Sequence, residues 1–177
     1  AALTADVPPD PGVAPFKELQ RNPQRRVRQL PIEPSRHLAA IQYTGGTEGR
    51  PKGAMLTHRN LIANACQQHA WDFAGGRPGE DVTLAVLPLF HSFGLMSCLV
   101  APMMTAGAVV LLPRYDADRV ISAMRRYRPT IFPGVPTLYE KVLDSPRFRP
   151  SDLSSLRVYI SGAMALGQGT IDRLERL

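Results

Sequence analysis

The sequence contains little cysteine. Of its 177 residues only Cys66 and Cys98 are cysteines, and neither belongs to a CxxC pair. A chain of this length can bury a hydrophobic core without a disulfide scaffold. We therefore expect two free thiols and a protein of the reducing cytoplasm.

Clustered positive charge and stacking aromatic residues are also lacking. The formal net charge is +6, yet the arginines are scattered and aromatic residues make up only 7% of the chain. A nucleic-acid-binding protein concentrates basic side chains on one surface. We therefore expect no nucleic-acid partner. A basic balance also suits an anionic substrate or anionic lipid, so peripheral contact with a membrane stays open.

One long stretch has no charged residue at all. It lies between Asp81 and Arg114, and its segment 95–112 is apolar enough to be considered as a membrane-spanning helix. Pro102 interrupts that segment, and Gly107 separates it from a β-like run. We predict a buried strand, a helix and a second strand here instead.

Short apolar runs alternate with helical patterns from residue 37 onwards. We predict strands at 37–44, 54–56, 82–87, 108–112, 130–132 and 156–160, the first of them buried. Helices are predicted at 58–70 after an N-cap at Thr57, at 93–106, from Asp116 or Asp118 to Pro129, from Pro136 to Asp144, and at 169–177. This alternation is typical of an α/β fold with a mainly parallel sheet flanked by helices.

The amino-terminal part differs in composition. Residues 1–35 are rich in proline and polar residues, so we predict an irregular connecting segment there, followed by one domain over residues 36–177. The chain does not begin with methionine and its last helical pattern has no cap. We expect both ends to be truncations of a longer protein.

The segment 43–53, YTGGTEGRPKG, has the composition of a phosphate-binding loop. Its glycines let the backbone approach a ligand closely, and successive amides in such a turn form a concave site for an anion. Thr44 and Thr47 offer hydroxyl donors, and Lys52 adds a positive charge. Neither G-x-x-x-x-G-K-[ST] nor G-x-G-x-x-G matches this loop. The alternative is a glycine-rich hairpin turn without a ligand.

The longer run YTGGTEGRPKGAMLTHRN strongly resembles the signature of the adenylate-forming superfamily. The resemblance implies that this loop holds the β- and γ-phosphates of ATP, with Thr47 as a candidate neighbour of Mg²⁺. Glu48 stands where the family has a second threonine, and a carboxylate beside phosphates is repulsive unless Mg²⁺ or Lys52 offsets it. The implied phosphate-binding residues are Thr44, Gly45, Gly46, Thr47, Glu48, Gly49 and Lys52.

Three further blocks resemble the same family in the same order. LPLFHSFGL implies that His91 lies at the acyl and nucleotide pocket, without a general-base role. RPTIFPGVPTLYEKVL is similar to a segment of long-chain ligases, and LSSLRVYISGAMAL to the strand and turn beside the adenylate, where Met164 and Ala165 replace the usual Ala-Pro. The implied pocket residues are His91, Phe93, Gly94, Gly134, Ser161, Gly162, Ala163 and Met164.

The resemblance covers residues 37–177 and implies part of the large N-terminal domain of a long-chain fatty-acid–CoA ligase, without its C-terminal catalytic domain. Such an enzyme uses ATP, Mg²⁺, a fatty acid and CoA to make acyl-AMP and then acyl-CoA. We expect the 177-residue chain alone to be inactive and to self-associate. Two alternatives stay open: a relative that activates another acid (an aryl-CoA ligase, amino-acid adenylation domain or luciferase-like enzyme), and a non-catalytic anion-binding module.

Overall fold

A computed structural model of the protein describes residues 30–45, 50–71 and 76–177. The chain divides into two units, residues Ala1–Ile32 and Glu33–Leu177, and every helix and strand given below belongs to the second. The irregular structure predicted for residues 1–35 lies mostly outside the described residues.

An antiparallel hairpin comes first in the second unit. Strand β1 (Leu38–Thr44) pairs with strand β2 (Lys52–Thr57), and Thr44 lies opposite Lys52 next to the connecting loop. Both strands were predicted. Their pairing brings the two ends of the predicted phosphate-binding loop together.

The prediction that β1 is buried is wrong. The side chains of Ile41 and Tyr43 are 55% and 68% exposed. Within the described part of the chain, β1 pairs only with β2. A two-stranded hairpin exposes both faces to solvent unless other elements pack on them, and here the apolar side chains of β1 are exposed.

Four parallel strands form the central sheet, in the order β4–β3–β5–β6. Their bounds are β3 (Val82–Ala85), β4 (Ala108–Leu111), β5 (Ile131–Gly134) and β6 (Val158–Ser161). The α/β class with a parallel sheet is therefore confirmed. Because the strands are parallel, their last residues all lie at one edge of the sheet, called the carboxyl edge below.

Helices precede, connect and follow these strands. They are α1 (His58–Ala70), α2 (Ser92–Leu95), α3 (Ala101–Met104), α4 (Ala117–Tyr127), α5 (Pro136–Leu143) and α6 (Gln168–Glu175). The N-cap at Thr57 is confirmed, since its side chain accepts a hydrogen bond from the amide of Asn60. Asp116 caps α4 in the same way, by accepting from the amide of Arg119. Local sequence signals thus set where these helices begin.

A π-helical turn, Met96–Val100, joins α2 to α3. The three pieces form one helical segment over residues 92–104, close to the predicted helix at 93–106. Pro102 lies within this segment just after the π-turn, where its missing amide removes one backbone hydrogen bond. None of the helices in the described part of the chain combines the length and the apolar character that a membrane span requires.

Neighbouring residues of β3 belong to different core clusters. Leu84 packs in a large cluster that includes Val120 and Ile121 of α4 and Tyr139 of α5. Ala85 packs in a smaller cluster with Cys98 of the π-turn. Successive strand residues point to opposite faces. Helix α4 therefore covers one face of the sheet, and the helical segment 92–104 covers the other.

Candidate functional site

A mostly apolar cleft of about 520 Å³ lies between the sheet and the helices that cover its second face. Its volume is in the range of small-molecule binding sites. The sheet contributes Ile131, Val158, Ile160 and Ser161. On the other side lie Gln68, near the end of α1, and Trp71, directly after that helix. The cleft is therefore bounded on both sides by regular secondary structure.

One side of the helical segment 92–104 forms a wall of this cleft. The wall residues are spaced four apart, which places them on the same side of a helix: Phe93, Ser97, Ala101 and Thr105. Phe93 is nearest the start of the segment, and Thr105 follows its end. A ligand in the cleft would therefore contact successive turns of this helix.

The carboxyl edge of the sheet forms one end of the cleft. Ser161, the last residue of β6, lines the cleft there, and Phe93 lies beside it across Gly162. The hydroxyl oxygen of Ser161 is buried and has no hydrogen-bond partner. Buried hydroxyl groups in proteins are normally paired. A polar group of a ligand could satisfy this one.

Asp81, just before β3, lies towards the opposite, amino edge of the sheet. Its carboxylate accepts hydrogen bonds from Nη2 of Arg157, Oγ1 of Thr130 and the amide of Arg77, each at 2.8 Å. Burial alone would raise the pKa of Asp81, but these hydrogen bonds together lower it below its ordinary value. The carboxylate is therefore ionised and engaged in structure, and is not available as a base.

The predicted His91 lies in the loop before α2 and is exposed. Its Nδ1 accepts a hydrogen bond of 3.2 Å from the amide of Phe93, so the histidine caps this helix. Gly94 packs so tightly on the carbonyl oxygen of Pro88 that a side chain there would overlap it. Both residues fix the path of the loop that positions Phe93. Neither lines the cleft itself.

The predicted phosphate-binding loop is described in part. Gly46, Thr47, Glu48 and Gly49 lie outside the described residues. Thr44 and Lys52 are exposed at the ends of β1 and β2, and a side chain added at Gly45 would meet no atom within 4 Å. The described ends of the loop therefore face open space.

One hydrogen bond connects this hairpin to the histidine loop. The side-chain amide of Gln42, in β1, donates to the carbonyl oxygen of Phe90 at 2.7 Å. Gln42 is two residues before Thr44, and Phe90 immediately precedes His91. The structure thus brings two sequence blocks, 48 residues apart, to one place.

The remaining predicted residues lie at or after the carboxyl edge. Gly134 ends β5, and its carbonyl oxygen accepts a 3.2 Å hydrogen bond from the amide of Gly162. A side chain at Gly134 would point at the ring of Tyr139. Ala163 has a left-handed backbone with φ of 69°, and Met164 is 61% exposed. Of the predicted pocket residues, the structure brings Phe93, Ser161 and Gly162 together at the cleft.

Sequence reasoning did not identify Ser97 and Gln68 as part of the site. They lie 29 residues apart in the sequence. In the wall of the cleft, the hydroxyl of Ser97 donates a hydrogen bond to Oε1 of Gln68. The spacing of four between Phe93 and Ser97 was the one available signal, since both fall on the same side of the predicted helix. Nothing in the sequence indicated that Gln68 would face them.

Comparison with known proteins gives the family. Residues 3–177 match the family described as AMP-binding enzyme. The long-chain-fatty-acid–CoA ligase of Bacillus subtilis (strain 168) is 36% identical over 146 residues, which are 82% of this chain and 26% of that protein. The chain therefore spans only about a quarter of that relative's length.

Solved structures agree with this result. ATP-bound MatB from Rhodopseudomonas palustris is 36% identical with a TM-score of 0.68, covering 78% of this chain and 27% of that one. The anthranilate CoA ligase AuaEII in complex with anthranoyl-AMP is 29% identical with a TM-score of 0.81, covering 95% of this chain and 32% of that one. The chain therefore belongs to the AMP-binding enzyme family.

Proposed function

We propose that this chain is part of an ATP-dependent ligase that joins a long-chain fatty acid to CoA. In this proposal residues 36–177 are a portion of the large N-terminal domain, residues 1–35 connect to it, and the C-terminal catalytic domain lies outside the 177 residues. The chain supplies the residues that bind the phosphates of ATP and part of the wall of the acyl pocket.

The observation that carries the proposal is the cleft over the second face of the sheet, one end of which lies at the carboxyl edge. Its walls are mostly apolar, while the buried Ser161 hydroxyl at one end lacks a partner. A fatty acid has the matching chemistry, with an apolar tail and a polar carboxyl end. Ligands of open parallel sheets bind beyond the carboxyl ends of the strands, which is where Ser161 lies.

Each predicted residue has a role in this proposal. The backbone amides of residues 44–49, with Thr44, Thr47 and Lys52, hold the β- and γ-phosphates of ATP. Mg²⁺ would enter bound to these phosphates, since magnesium sites commonly combine substrate phosphates with few protein ligands. Phe93 and Ser161 line the acyl pocket, with Gly162 against the ring of Phe93. His91, Gly94, Gly134, Ala163 and Met164 shape the loops and strand end around it.

The reaction in this proposal has two steps. A carboxylate oxygen of the fatty acid attacks the α-phosphorus of ATP, which gives acyl-AMP and releases pyrophosphate. The thiol of CoA then loses its proton and attacks the acyl carbon, which expels AMP. The residues of this chain contribute by orienting the substrates and neutralising charge, the main sources of catalysis in phosphoryl-transfer sites.

Acid-dependent exchange of pyrophosphate into ATP, measured with the full-length protein that carries this chain, tests the first step. We expect exchange with fatty acids, and a loss of at least about tenfold for Lys52→Ala because the variant removes a charge from the phosphate site. Lys141→Ala is the matched control, since Lys141 is an exposed lysine of α5. Exchange that proceeds without an added acid would contradict the proposal. So would the absence of exchange with every acid tested.

A second candidate is a ligase for aryl acids. The solved structure with anthranoyl-AMP favours this candidate, since 95% of the present chain matches that relative. Aryl acids in the same exchange assay would support rates above those of fatty acids. A third candidate, a non-catalytic anion-binding module, predicts that ATP raises the Tm of the protein without any acid-dependent exchange.

The isolated chain is expected to self-associate. Several large apolar side chains are exposed on the described part of the chain, among them Ile41, Tyr43, Met55 and Phe90. Exposed apolar groups of this kind favour association. Light scattering at increasing concentration would detect it, and a monomer throughout the range contradicts the expectation.

A further inference from the structure

A side chain of strand β1 holds the turn that leads into the wall of the cleft. Gln42 is half-buried, whereas its neighbours Ile41 and Tyr43 are exposed. Successive strand residues point to opposite faces, so Gln42 points away from the exposed face of the hairpin. There its Nε2 donates to the carbonyl oxygen of Phe90 at 2.7 Å. In the described part of the chain, no other hydrogen bond joins β1 or β2 to the turn at 88–91.

On the hairpin side, this hydrogen bond lies close to the proposed phosphate site. Gln42 pairs with Ala54 and Thr44 pairs with Lys52 in the same antiparallel ladder. Because Gln42 and Thr44 are two residues apart, they lie on the same face of β1, about 7 Å apart along the strand. A nucleotide whose phosphates bind at Thr44 and Lys52 would therefore also fix the position of Gln42.

On the cleft side, the turn at 88–91 determines where Phe93 lies. The amide of His91 donates to the carbonyl oxygen of Pro88 at 3.1 Å and closes the turn. Nδ1 of His91 then accepts from the amide of Phe93, which starts the helix. Phe90 is 83% exposed, so its backbone carbonyl, rather than its ring, connects the turn to β1. A displacement of this carbonyl would shift Phe93 in the wall of the cleft.

We propose that Gln42 is a positioning residue that couples the ATP site to the acid pocket. With ATP on the hairpin, the hydrogen bond to Phe90 holds the turn, and with it Phe93, in the position that binds the acid. A binding surface that is ordered in advance loses less freedom when its ligand arrives. The inference rests on the proposed ligase function and adds the residue that connects its two substrate sites.

Coupling of this kind has a defined size and works in both directions. A hydrogen bond between neutral groups changes an affinity by about three- to tenfold. Because coupling between two binding sites is reciprocal, the acid must strengthen nucleotide binding by the same factor as the nucleotide strengthens acid binding. Either direction can therefore be measured.

The test measures binding to the full-length protein of α,β-methylene-ATP, whose α–β bridge is not cleaved, so that no acyl-AMP forms. Calorimetry gives its Kd with Mg²⁺ in the absence and in the presence of saturating decanoate, or of cinnamate if aryl acids support the faster exchange. We expect the acid to lower this Kd by about three- to tenfold.

Two variants remove the donor in different ways. Gln42→Met keeps the length of the side chain, and Gln42→Glu keeps its shape but carries a carboxylate that cannot donate at neutral pH. Both should reduce the coupling factor to about one and leave the Kd of the nucleotide alone within about twofold. In the exchange assay, both should raise the KM of the acid about three- to tenfold at saturating ATP, with the maximal rate nearly unchanged.

Gln168→Met is the matched control. Nε2 of Gln168 donates to Oδ1 of Asp172 at 2.7 Å, within helix α6. The control variant therefore also loses a side-chain amide hydrogen bond of the same length, but one that joins no second element. It should keep the full coupling between the nucleotide and the acid.

The outcomes distinguish this inference from the function on which it rests. If the acid leaves the Kd of the nucleotide unchanged, or if Gln42→Met keeps the coupling, the role of Gln42 is overturned and the ligase function stands. A variant that weakens nucleotide binding equally with and without the acid also overturns it, since Gln42 would then support only the hairpin. If no acid supports exchange, the proposed function fails and the inference fails with it.

Discussion

The ring of Phe93 lies directly against the α-carbon of Gly162, so that a Cβ at Gly162 would come within 2.8 Å of Cε1 of the ring. Real Cβ atoms do not approach other atoms this closely. Phe93 belongs to the histidine block and Gly162 to the turn after β6. Their contact joins two of the sequence blocks at the carboxyl edge of the sheet, where the cleft begins.

Gly162→Ala should therefore displace the ring of Phe93. We expect a loss of stability of about 1–3 kcal/mol from overpacking, and a fall in kcat/KM for the acid because Phe93 lines the cleft. Urea unfolding and the exchange assay measure the two effects. Gly167→Ala is the matched control, since a side chain there meets nothing within 4 Å. If Gly162→Ala and Gly167→Ala have equal unfolding free energies and equal kcat/KM, the contact between Phe93 and Gly162 contributes to neither stability nor activity.

Tyr139→Phe should destabilise the domain. The Tyr139 hydroxyl lies 3.0 Å from the carbonyl oxygens of Phe132 and Ile160, and so connects β5 to β6. Removing it leaves two carbonyl groups without this donor, at a cost of about 1–3 kcal/mol. The exposed Tyr127 provides the control variant, Tyr127→Phe. Equal unfolding free energies for the two variants would contradict the role given to Tyr139.

The ion pair of Arg125 and Asp152 should make stability depend on pH in the acid range. Nε and Nη2 of Arg125 lie 2.7 and 2.9 Å from the two carboxylate oxygens, and the amide of Arg149 donates to the same carboxylate. The hydrogen bonds from Arg125 lower the pKa of Asp152 below its ordinary value of 3.8. The stabilisation is therefore complete above this value and is lost as the pH falls through the lower pKa of the folded state.

Asp152→Asn should lower the Tm at neutral pH, and its difference from the unaltered protein should shrink as the pH falls below about 4. Thermal unfolding between pH 3 and 7 measures this. Asp172→Asn removes a more exposed carboxylate, 3.9 Å from Arg176, and should have little effect, as exposed ion pairs contribute little. A Tm difference between Asp152→Asn and the unaltered protein that stays constant with pH would contradict a link between the ionisation of Asp152 and stability.

The two cysteines should react at very different rates. Cys98 is buried, and its burial raises the pKa of the thiol to about 11, whereas Cys66 is exposed. The thiolate is the reactive form, so at pH 8 a disulfide reagent should modify Cys66 quickly and Cys98 only after unfolding. Absorbance of the released thiol counts the reactive groups. Cys66→Ser should remove the fast reaction, and a fast reaction that survives would show that Cys98 is accessible.

Structural features that depend on residues close together in the sequence, such as the starts of helices, could be predicted. The cap at Thr57 and the first turn at Pro136 were found as predicted, and of the two caps predicted for α4 the structure has Asp116. These signals work because a cap and the amide it satisfies are only a few residues apart. The alternation of strands and helices likewise indicated the parallel sheet.

Burial could not be predicted in the same way. Apolar composition suggested that β1 is buried, but its residues are covered only if another element packs on the hairpin. Tyr127 follows the buried residues Val120 and Met124 of α4 at helical spacing, yet it is 48% exposed. The helix ends there, because Arg128 adopts a left-handed backbone with φ of 46° before Pro129.

The sequence by itself determined the fold class, the starts of the helices and the blocks that resemble adenylate-forming enzymes, since each is encoded within a short stretch of chain. Only the tertiary structure decided that Gln42 meets Phe90, that Phe93 packs on Gly162, and that Ser97 donates to Gln68. Such pairs are separated by 29 to 69 residues, and their contact depends on how the helices pack on the sheet. The polarity of the cleft follows from that packing and from no local pattern.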